Sequence, residues 1–169
     1  MSTTEVAART ASSHRQGRPA SGSVSFSERE IQVAELLADG LATPEIGQRL
    51  HLSEHTVASY VKYAKAKLGV HTGAALVLGL YEHGLLAEPI PSPHPLDLDD
   101  DVRSVLPLLV QGVPGSQIAL RLKRPVTRVR ADMQTAFASV STRNAAHAVR
   151  QLRRYGLRYP LRDGPGAST

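Results

Sequence analysis

Cysteine and tryptophan are absent from this chain of 169 residues, and aromatic residues make up only 4% of it. The absence of cysteine excludes disulfides, thiolate metal sites and cysteine nucleophiles. No apolar run approaches the about 20 residues that a membrane-spanning helix needs. The N-terminus has no apolar core of the kind that signal peptides carry. We therefore expect a cytoplasmic protein with no membrane partner.

Signatures of catalysis are also missing from the sequence. It has no glycine-rich phosphate loop and no nucleophile elbow. Seven histidines are present, but His51 and His55 lie on either side of a predicted turn, and no carboxylate pattern completes a zinc site. Asp99, Asp100 and Asp101 are adjacent acids, for which we favour capping of a helix start over magnesium binding. We predict no enzymatic activity, no metal and no cofactor.

The charge is unevenly distributed along the chain. Residues 26–86 hold five basic and seven acidic side chains, a net charge of −2, whereas residues 98–158 hold eleven basic and four acidic side chains, a net charge of +7. A basic balance permits an anionic partner but does not require one.

The stretch 53–68, SEHTVASYVKYAKAKL, has the periodicity of an amphipathic helix. Its apolar positions recur at helical spacing and share one face. The other faces carry hydroxyl, aromatic and lysine side chains, and Ser53 stands where an N-cap belongs. The apolar positions are Val57, Val61, Ala64 and Leu68. Such a helix, over about 54–68, suits a DNA groove, although a solvated surface helix has the same pattern.

A shorter helix is predicted just before it. Thr43, Pro44 and Glu45 provide a hydroxyl cap, an early proline and an acid in the first turn. Two helices joined by the short turn at His51 and Leu52 have the pattern of a helix-turn-helix.

Two further helices complete the segment. Ser27 and Glu30 form a capping box for a helix that ends at Gly40. Thr72 caps another helix, which runs to about residue 83.

Three segments are predicted to lie outside folded modules. Residues 1–25 are poor in branched apolar side chains, so we expect a disordered tail. Residues 87–97, AEPIPSPHPLD, have proline at every second position from 89 to 95, which favours a semi-rigid polyproline II spacer. Residues 159–169 are expected to form a C-terminal tail.

Residues 98–158 repeat residues 26–86 at an offset of 72 positions. Gly40 aligns with Gly112, Ile46 with Ile118, and the apolar face of the 53–68 helix with a second set of spaced residues. That second set is Val129, Met133, Ala136 and Val140. Recurrence of the apolar positions and glycine stops predicts a second, divergent copy of the same module.

Residues 26–86 closely resemble the LuxR-type DNA-binding domain, a four-helix helix-turn-helix module. The matching stretches are FSEREIQVAELLADGL (26–41), PEIGQRLHLSEHTV (44–57), KLGV (67–70) and HGLL (83–86). The stretch RNAAHAV (143–149) resembles the fourth helix of the same family. The resemblance implies an all-α fold of two four-helix modules joined by the proline-rich linker. Ala58 departs from the family, which usually has lysine there.

The resemblance implies a sequence-specific DNA-binding transcriptional regulator whose helix at about 54–68 enters the major groove of double-stranded DNA. The candidate contacts in module 1 (26–86) are Thr56, Ser59, Tyr60, Lys62, Tyr63, Lys65 and Lys67. Module 2 (98–158) is expected to add basic contacts, from Arg121, Lys123, Arg124, Arg128 and Arg130.

An interaction module is the alternative function. Asp132 would face phosphates if its helix entered a groove, although Arg128 four residues earlier could neutralise it. Module 2 could therefore instead dock on RNA polymerase or a sigma factor. Members of the family commonly pair through their fourth helices, which implies that Leu76, Leu80 and Tyr81 meet Ala148, Gln151 and Leu152. This leaves a monomer with pseudo-dimeric modules and a true homodimer both open.

Overall fold

The computed structural model describes residues 24–161, which form eight α-helices and no strand. The all-α fold class predicted from the sequence is therefore confirmed. The expected disorder of the N-terminal tail falls almost entirely on residues 1–23, which lie outside the described residues. None of the described helices is long and apolar enough to cross a membrane. The helices are α1 (Glu28–Ala38), α2 (Thr43–Leu50), α3 (Glu54–Leu68), α4 (Gly73–Glu82), α5 (Asp100–Val110), α6 (Gly115–Leu122), α7 (Val126–Ser139) and α8 (Ala145–Arg154).

The helices α1–α4 form the first set. Three of them, α1, α3 and α4, begin at the predicted caps. Ser27 and Glu30 form the reciprocal capping box of α1, with the Ser27 amide donating to the Glu30 carboxylate at 2.7 Å. The Ser53 hydroxyl accepts a hydrogen bond from the Thr56 amide at 3.1 Å, and the Thr72 hydroxyl accepts one from the Ala75 amide at 3.2 Å. Each cap satisfies an amide that has no partner inside its own helix.

Two predicted caps are wrong. Thr43 is the first residue of α2 rather than its cap, and the exposed backbone amide of Ala42 donates to Glu45 at 2.6 Å. The Glu45 side chain thus reaches back to the start of the helix without a hydroxyl cap. Asp99 holds the N-cap position of α5 but makes no side-chain cap bond. Asp101 instead pairs with arginines of α7 and the turn before it, as described below.

The backbone repeats with the 72-residue offset. Every left-handed residue among residues 24–161 has a left-handed counterpart 72 positions away. A non-glycine residue occupies this conformation at three of the eight positions, where side chains are rarely tolerated. The pairs are Gly40 with Gly112, His51 with Lys123, Gly69 with Ser141, and Gly84 with Gly156.

Helix packing shows the same relation between α1–α4 and the second set, α5–α8. Four of the five helix contacts within the first set recur in the second, the exception being that of α3 with α4, and α1 contacts α8 as α5 contacts α4. The α4–α8 contact is the most extensive in the described part of the chain. Leu76, Leu80 and Leu152 are fully buried in the one apolar cluster that spans both sets. Burial of this shared apolar surface holds the two sets together.

The proline-rich segment is not a free spacer. Its Ser92 amide donates to the carbonyl of Arg154 at 2.7 Å, and Arg154 Nε donates to the carbonyl of Ile90 at 3.2 Å. Glu88 pairs with Arg153. The prolines keep this segment out of helix and strand, but contacts with α8 fix it on the second set, which a reading of proline spacing alone does not anticipate.

The first residues beyond α8 also differ from the expected tail. Tyr159 and Leu161 pack against the shared core, and the Leu161 amide donates to Glu82 at 2.5 Å. Apolar burial therefore includes residues 159–161 in the packed structure, and residues 162–169 lie outside the described part.

Candidate nucleic-acid interface

One face of α3 is open to solvent along its whole length. Val57 and Ala64 bury the opposite face, and Ile46 of α2 packs with Val57 in the same cluster. The open face carries His55, Ala58, Lys62, Tyr63 and Ala66, all exposed. Tyr63 is 61% exposed, which is unusual for so large a side chain. From residue 55 onward this face carries no acid. The open face of α3 is therefore free, from residue 55 onward, of the negative charge that phosphates would repel.

The two hydroxyls predicted as contacts both have partners within the helix start. Thr56 Oγ1 lies 2.8 Å from Ser53 Oγ, so Thr56 belongs to the cap of α3. Ser59 Oγ donates to the carbonyl of His55 at 2.9 Å. A hydroxyl that donates in this way can still accept a hydrogen bond, so Ser59 remains able to bind a base amino group. His55, which is not among the predicted DNA contacts, lies on the same open face of α3 at helical spacing.

The three lysines of α3 have different environments. Lys62 is exposed and forms no ion pair within residues 24–161. Lys65 Nζ donates to the carbonyl of His71 at 3.3 Å, which ties it to the loop after α3. Lys62 is therefore the lysine best placed to reach a phosphate.

Lys67 forms an ion pair with α1 that its position in the sequence does not indicate. Its Nζ lies 2.7 Å from the Glu30 carboxylate and 5.3 Å from the centre of the Phe26 ring. Burial raises the pKa of Glu30, but the hydrogen bonds from Lys67 and Ser27 outweigh it and hold that pKa below its ordinary value. The charge of Lys67 therefore already links α3 to α1, and a phosphate contact by Lys67, which stays a prediction, would compete with this ion pair.

Tyr60 and Asp132 occupy equivalent positions, and neither is on an open face. Tyr60 is half-buried against the core of α1–α3. Asp132 is only 4% exposed, and the guanidinium groups of Arg124 and Arg128 lie 3.4 Å and 3.2 Å from its carboxylate. The expectation that Asp132 would face phosphates is therefore wrong, whereas its expected neutralisation by Arg128 is confirmed.

A four-residue ion cluster connects the start of α7 to α5. Asp101 lies 2.9 Å from Arg124 and 3.0 Å from Arg128, the same two arginines that neutralise Asp132. A buried carboxylate is stable only where such partners surround it. Arg124 and Arg128, both predicted as DNA contacts, thus have carboxylate partners within the protein, although the Arg128 side chain is 59% exposed. The spacing of Arg124, Arg128 and Asp132 at i, i+4 and i+8 was the available indication in the sequence.

Three of the five basic residues predicted as DNA contacts remain outside this cluster. Lys123 and Arg130 are exposed, and neither forms an ion pair within the described residues. Arg121 is also exposed, but it lines a cleft between the two sets of helices. The five predicted basic contacts of this region are therefore divided among an ion cluster, a cleft and two open positions. No cluster of three or more metal-ligating side chains exists within residues 24–161.

The part of the chain that contains its first helices is similar to known proteins. Residues 24–79 match the family model described as bacterial regulatory proteins, luxR family. A protein of Pseudomonas aeruginosa described as a candidate transcriptional regulator is 39% identical over 62 residues, which cover 37% of this chain and 30% of that protein. Transcriptional activator protein ExaE of Pseudomonas putida is 43% identical over 61 residues, 36% of this chain and 28% of ExaE.

The similarity is confined to one part of each protein. The chain spans less than a third of the length of either relative, and no solved structure matches it. The matched segment contains α1, α2 and α3 and most of α4. The matched segment includes the open face of α3 and the turn that precedes α3. Residues 24–79 therefore match one LuxR-type helix-turn-helix domain.

Proposed function

We propose that this chain is a sequence-specific DNA-binding transcription regulator whose helix α3 enters the major groove. The observation that carries the proposal is the acid-free open face of α3 within a LuxR-type domain. A helix of this kind fits the major groove, whereas an acidic face would be repelled by phosphates. The names of both relatives describe regulators of transcription, which supports the same function.

Different side chains on α3 take different roles in this proposal. Lys62 binds a phosphate, because an ammonium group acts as a flexible point charge that positions more than it specifies. Ser59, Tyr63 and His55 lie on the same open face and contact base edges or nearby phosphates. Thr56 and Lys67 act indirectly, by fixing the start and end of α3.

The second set of helices adds weaker electrostatic contacts. Recurrence of all left-handed positions supports its descent from the same four-helix module. Lys123 and Arg130 are its open cations and would contact phosphates of the neighbouring groove segment. Since Arg124 and Arg128 are already neutralised, this contribution is smaller than the five basic residues suggest.

One chain supplies both halves of the DNA-binding unit in this proposal. The face of α4 that would pair with a second copy is covered by α8 of the same chain. The open faces differ, since Thr56 and Ala58 correspond to Arg128 and Arg130. We therefore expect one chain per duplex and an asymmetric target site.

Selection of bound duplexes from a random pool tests the proposal directly. Enrichment of one asymmetric sequence is expected, and native mass spectrometry of the selected complex should show one protein chain. Absence of any enriched sequence would contradict specific DNA binding. Two chains on a palindromic duplex would contradict the single-chain arrangement alone.

A second candidate function applies to the second set of helices. Leu120 on α6 is 83% exposed and is followed by Arg121 and Lys123. An exposed leucine beside cations suits an acidic, partly apolar protein surface such as one on RNA polymerase or a sigma factor. Replacement of Leu120 by Ser would then reduce transcriptional output without changing DNA affinity, whereas an unchanged output would count against this function.

A further inference from the structure

A cleft of about 330 Å³ lies between the two sets of helices, outside the open face of α3. The loop after α3 forms part of it through Val70 and His71, and the region from α5 to α6 contributes Val113 and Arg121. Leu161, which packs on the core, completes its apolar lining. The volume is within the about 300–1,000 Å³ range of pockets that bind small molecules, and such pockets favour domain boundaries.

The equivalent place on the other side of the molecule is closed. There Arg143 and Glu45 form an ion pair at 3.5 Å, and the His147 ring lies against Gly40. Arg143 corresponds to His71, Glu45 to Gln117, and His147 to Ala75. The cleft therefore exists because these substitutions remove a carboxylate and a ring that fill its counterpart.

The same substitutions leave a cation in the cleft without a carboxylate. Arg49 corresponds to Arg121 and has Glu45 four residues earlier on its helix, where Glu45 pairs with Arg143, whereas Arg121 has the neutral Gln117 in that place. No acid is present among the described residues that line the cleft, and Arg121 forms no ion pair within residues 24–161. Its guanidinium group offers several donors in one plane, the arrangement that best binds a carboxylate.

We propose that this cleft binds a small organic monoanion with an apolar body, such as a carboxylate on a short hydrocarbon or aromatic group. Arg121 binds the carboxylate, assisted by the amide of Gln117, and Val70, Val113 and Leu161 surround the apolar part. A ligand there contacts both sets of helices at once and stabilises their association. The proposal does not depend on DNA binding.

Isothermal titration calorimetry of the full chain tests the site with three probes of equal chain length. We expect octanoate to bind saturably at one site, because it combines one negative charge with an apolar body. Neutral octanol should bind about tenfold more weakly or worse, since it lacks a charge-assisted hydrogen bond to Arg121. Cationic octylamine should not bind.

Two variants and a matched control locate the site. Arg121→Gln should weaken octanoate binding about tenfold. Gln117→Glu should weaken it to a similar extent, because the new carboxylate neutralises Arg121 at i+4 and repels the anion. Arg49→Gln removes the corresponding charge on the closed side and should leave the affinity unchanged. Circular dichroism would verify that each variant is folded.

The cleft is not an anion site if octanol binds as tightly as octanoate. Octanoate binds somewhere other than this cleft if Arg121→Gln and Gln117→Glu both retain the original octanoate affinity. Lack of saturable octanoate binding at millimolar concentration would overturn the proposal as a whole, whatever the outcome of DNA binding.

Discussion

Asn144 donates a hydrogen bond from its side-chain amide to the backbone carbonyl of Gly40 at 3.4 Å, across the boundary between the two sets of helices. Its carbonyl oxygen also caps α8, accepting from the His147 amide at 2.9 Å. Thr72, 72 residues earlier, caps α4 in the same way and lies directly against Gly112. Each fourth helix thus begins on the glycine that ends the first helix of the other set. This reciprocal contact makes the boundary part of the fold rather than a joint between independent domains.

The boundary should be sensitive to acid through His147. Burial lowers the pKa of His147 below its ordinary value of 6.5, with Asp39 opposing the shift and Arg143 and Arg150 reinforcing it. The unfolded chain therefore binds the proton more tightly, so the free energy of unfolding should fall as the pH drops below about 6.5 towards the folded-state pKa. Urea unfolding at a series of pH values measures this slope, which corresponds to at most about one proton.

A matched substitution identifies the group responsible for that slope. His147→Gln should flatten the pH dependence between neutral pH and the folded-state pKa of the histidine. His83→Gln serves as the control, since His83 is exposed. An equal pH dependence in the parent chain and His147→Gln would show that another group titrates.

Local features of the fold could be predicted, and long-range electrostatic contacts could not. Ser27, Ser53 and Thr72 cap their helices because the amide that each one binds is three residues away. The spacing of Arg128 and Asp132 indicates their ion pair, but the link to Asp101 is not predictable, because Asp101 lies 31 positions away on another helix. Neither helical periodicity nor local charge indicates that the two carboxylates share the same arginines.

In the candidate DNA-binding site, too, some features could be predicted from the sequence and others could not. The open face of α3 follows from periodicity, so the exposure of Lys62 and Tyr63 agrees with the helical pattern. Lys67 lies five residues after Lys62, about 140° around the helix and closer to the buried face, and its partner Glu30 belongs to α1. Periodicity therefore separates the two lysines, but only the packing of α1 on α3 shows that Lys67 is paired.

Ser141 offers a test of the backbone repeat. It has a φ of 50° at the end of α7, where its counterpart Gly69 has a φ of 65°. Glycine adopts this conformation without steric cost, so Ser141→Gly should raise the free energy of unfolding by about 0.5–1 kcal/mol. Ser141→Ala keeps the Cβ and should bring no comparable gain. Chemical denaturation measures both, and equal stabilities of the two variants would contradict the assigned strain.

Glu30 should stabilise the contact between α1 and α3. Its carboxylate is 5% exposed and accepts hydrogen bonds from Lys67 and Ser27, so Glu30→Gln should lower the free energy of unfolding by about 1–2 kcal/mol. The estimate stays low because Lys67 is partly solvated. The exposed neighbour Glu28 provides the control, since Glu28→Gln should change stability by less than about 0.5 kcal/mol.

The contribution of Glu30 to the free energy of unfolding should decrease in acid. The folded-state pKa of Glu30 lies below its ordinary value of 4.5, so the stabilisation is present above pH 4.5 and is lost as the pH falls through the folded-state pKa. The difference between the parent chain and Glu30→Gln should therefore shrink in acid. A difference that stays constant down to low pH would argue against ionisation as its source.

Lys62 should contribute to DNA affinity without choosing the sequence. Lys62→Ala should weaken binding to the selected site and to unrelated duplexes by similar factors, and reduce the slope of log affinity against log salt by about 1. Arg158→Ala, which removes an exposed charge that pairs with Glu88, is the control. Fluorescence anisotropy at several salt concentrations gives both quantities, and an unchanged slope would place Lys62 away from the phosphates.

Asp101 should limit the charge that the second set of helices presents to DNA. Asp101→Asn removes the exposed side of the ion cluster and leaves Arg124 and Arg128 with Asp132 as their one remaining carboxylate in the cluster. One positive charge is then unbalanced, so affinity for arbitrary duplexes should rise and the salt slope should steepen by about 1. Asp100→Asn, one residue earlier and exposed, changes the net charge equally and isolates the effect of the cluster. If both variants bind DNA alike, the arginines at the start of α7 do not face the duplex, and the second set is better explained as a protein-binding surface.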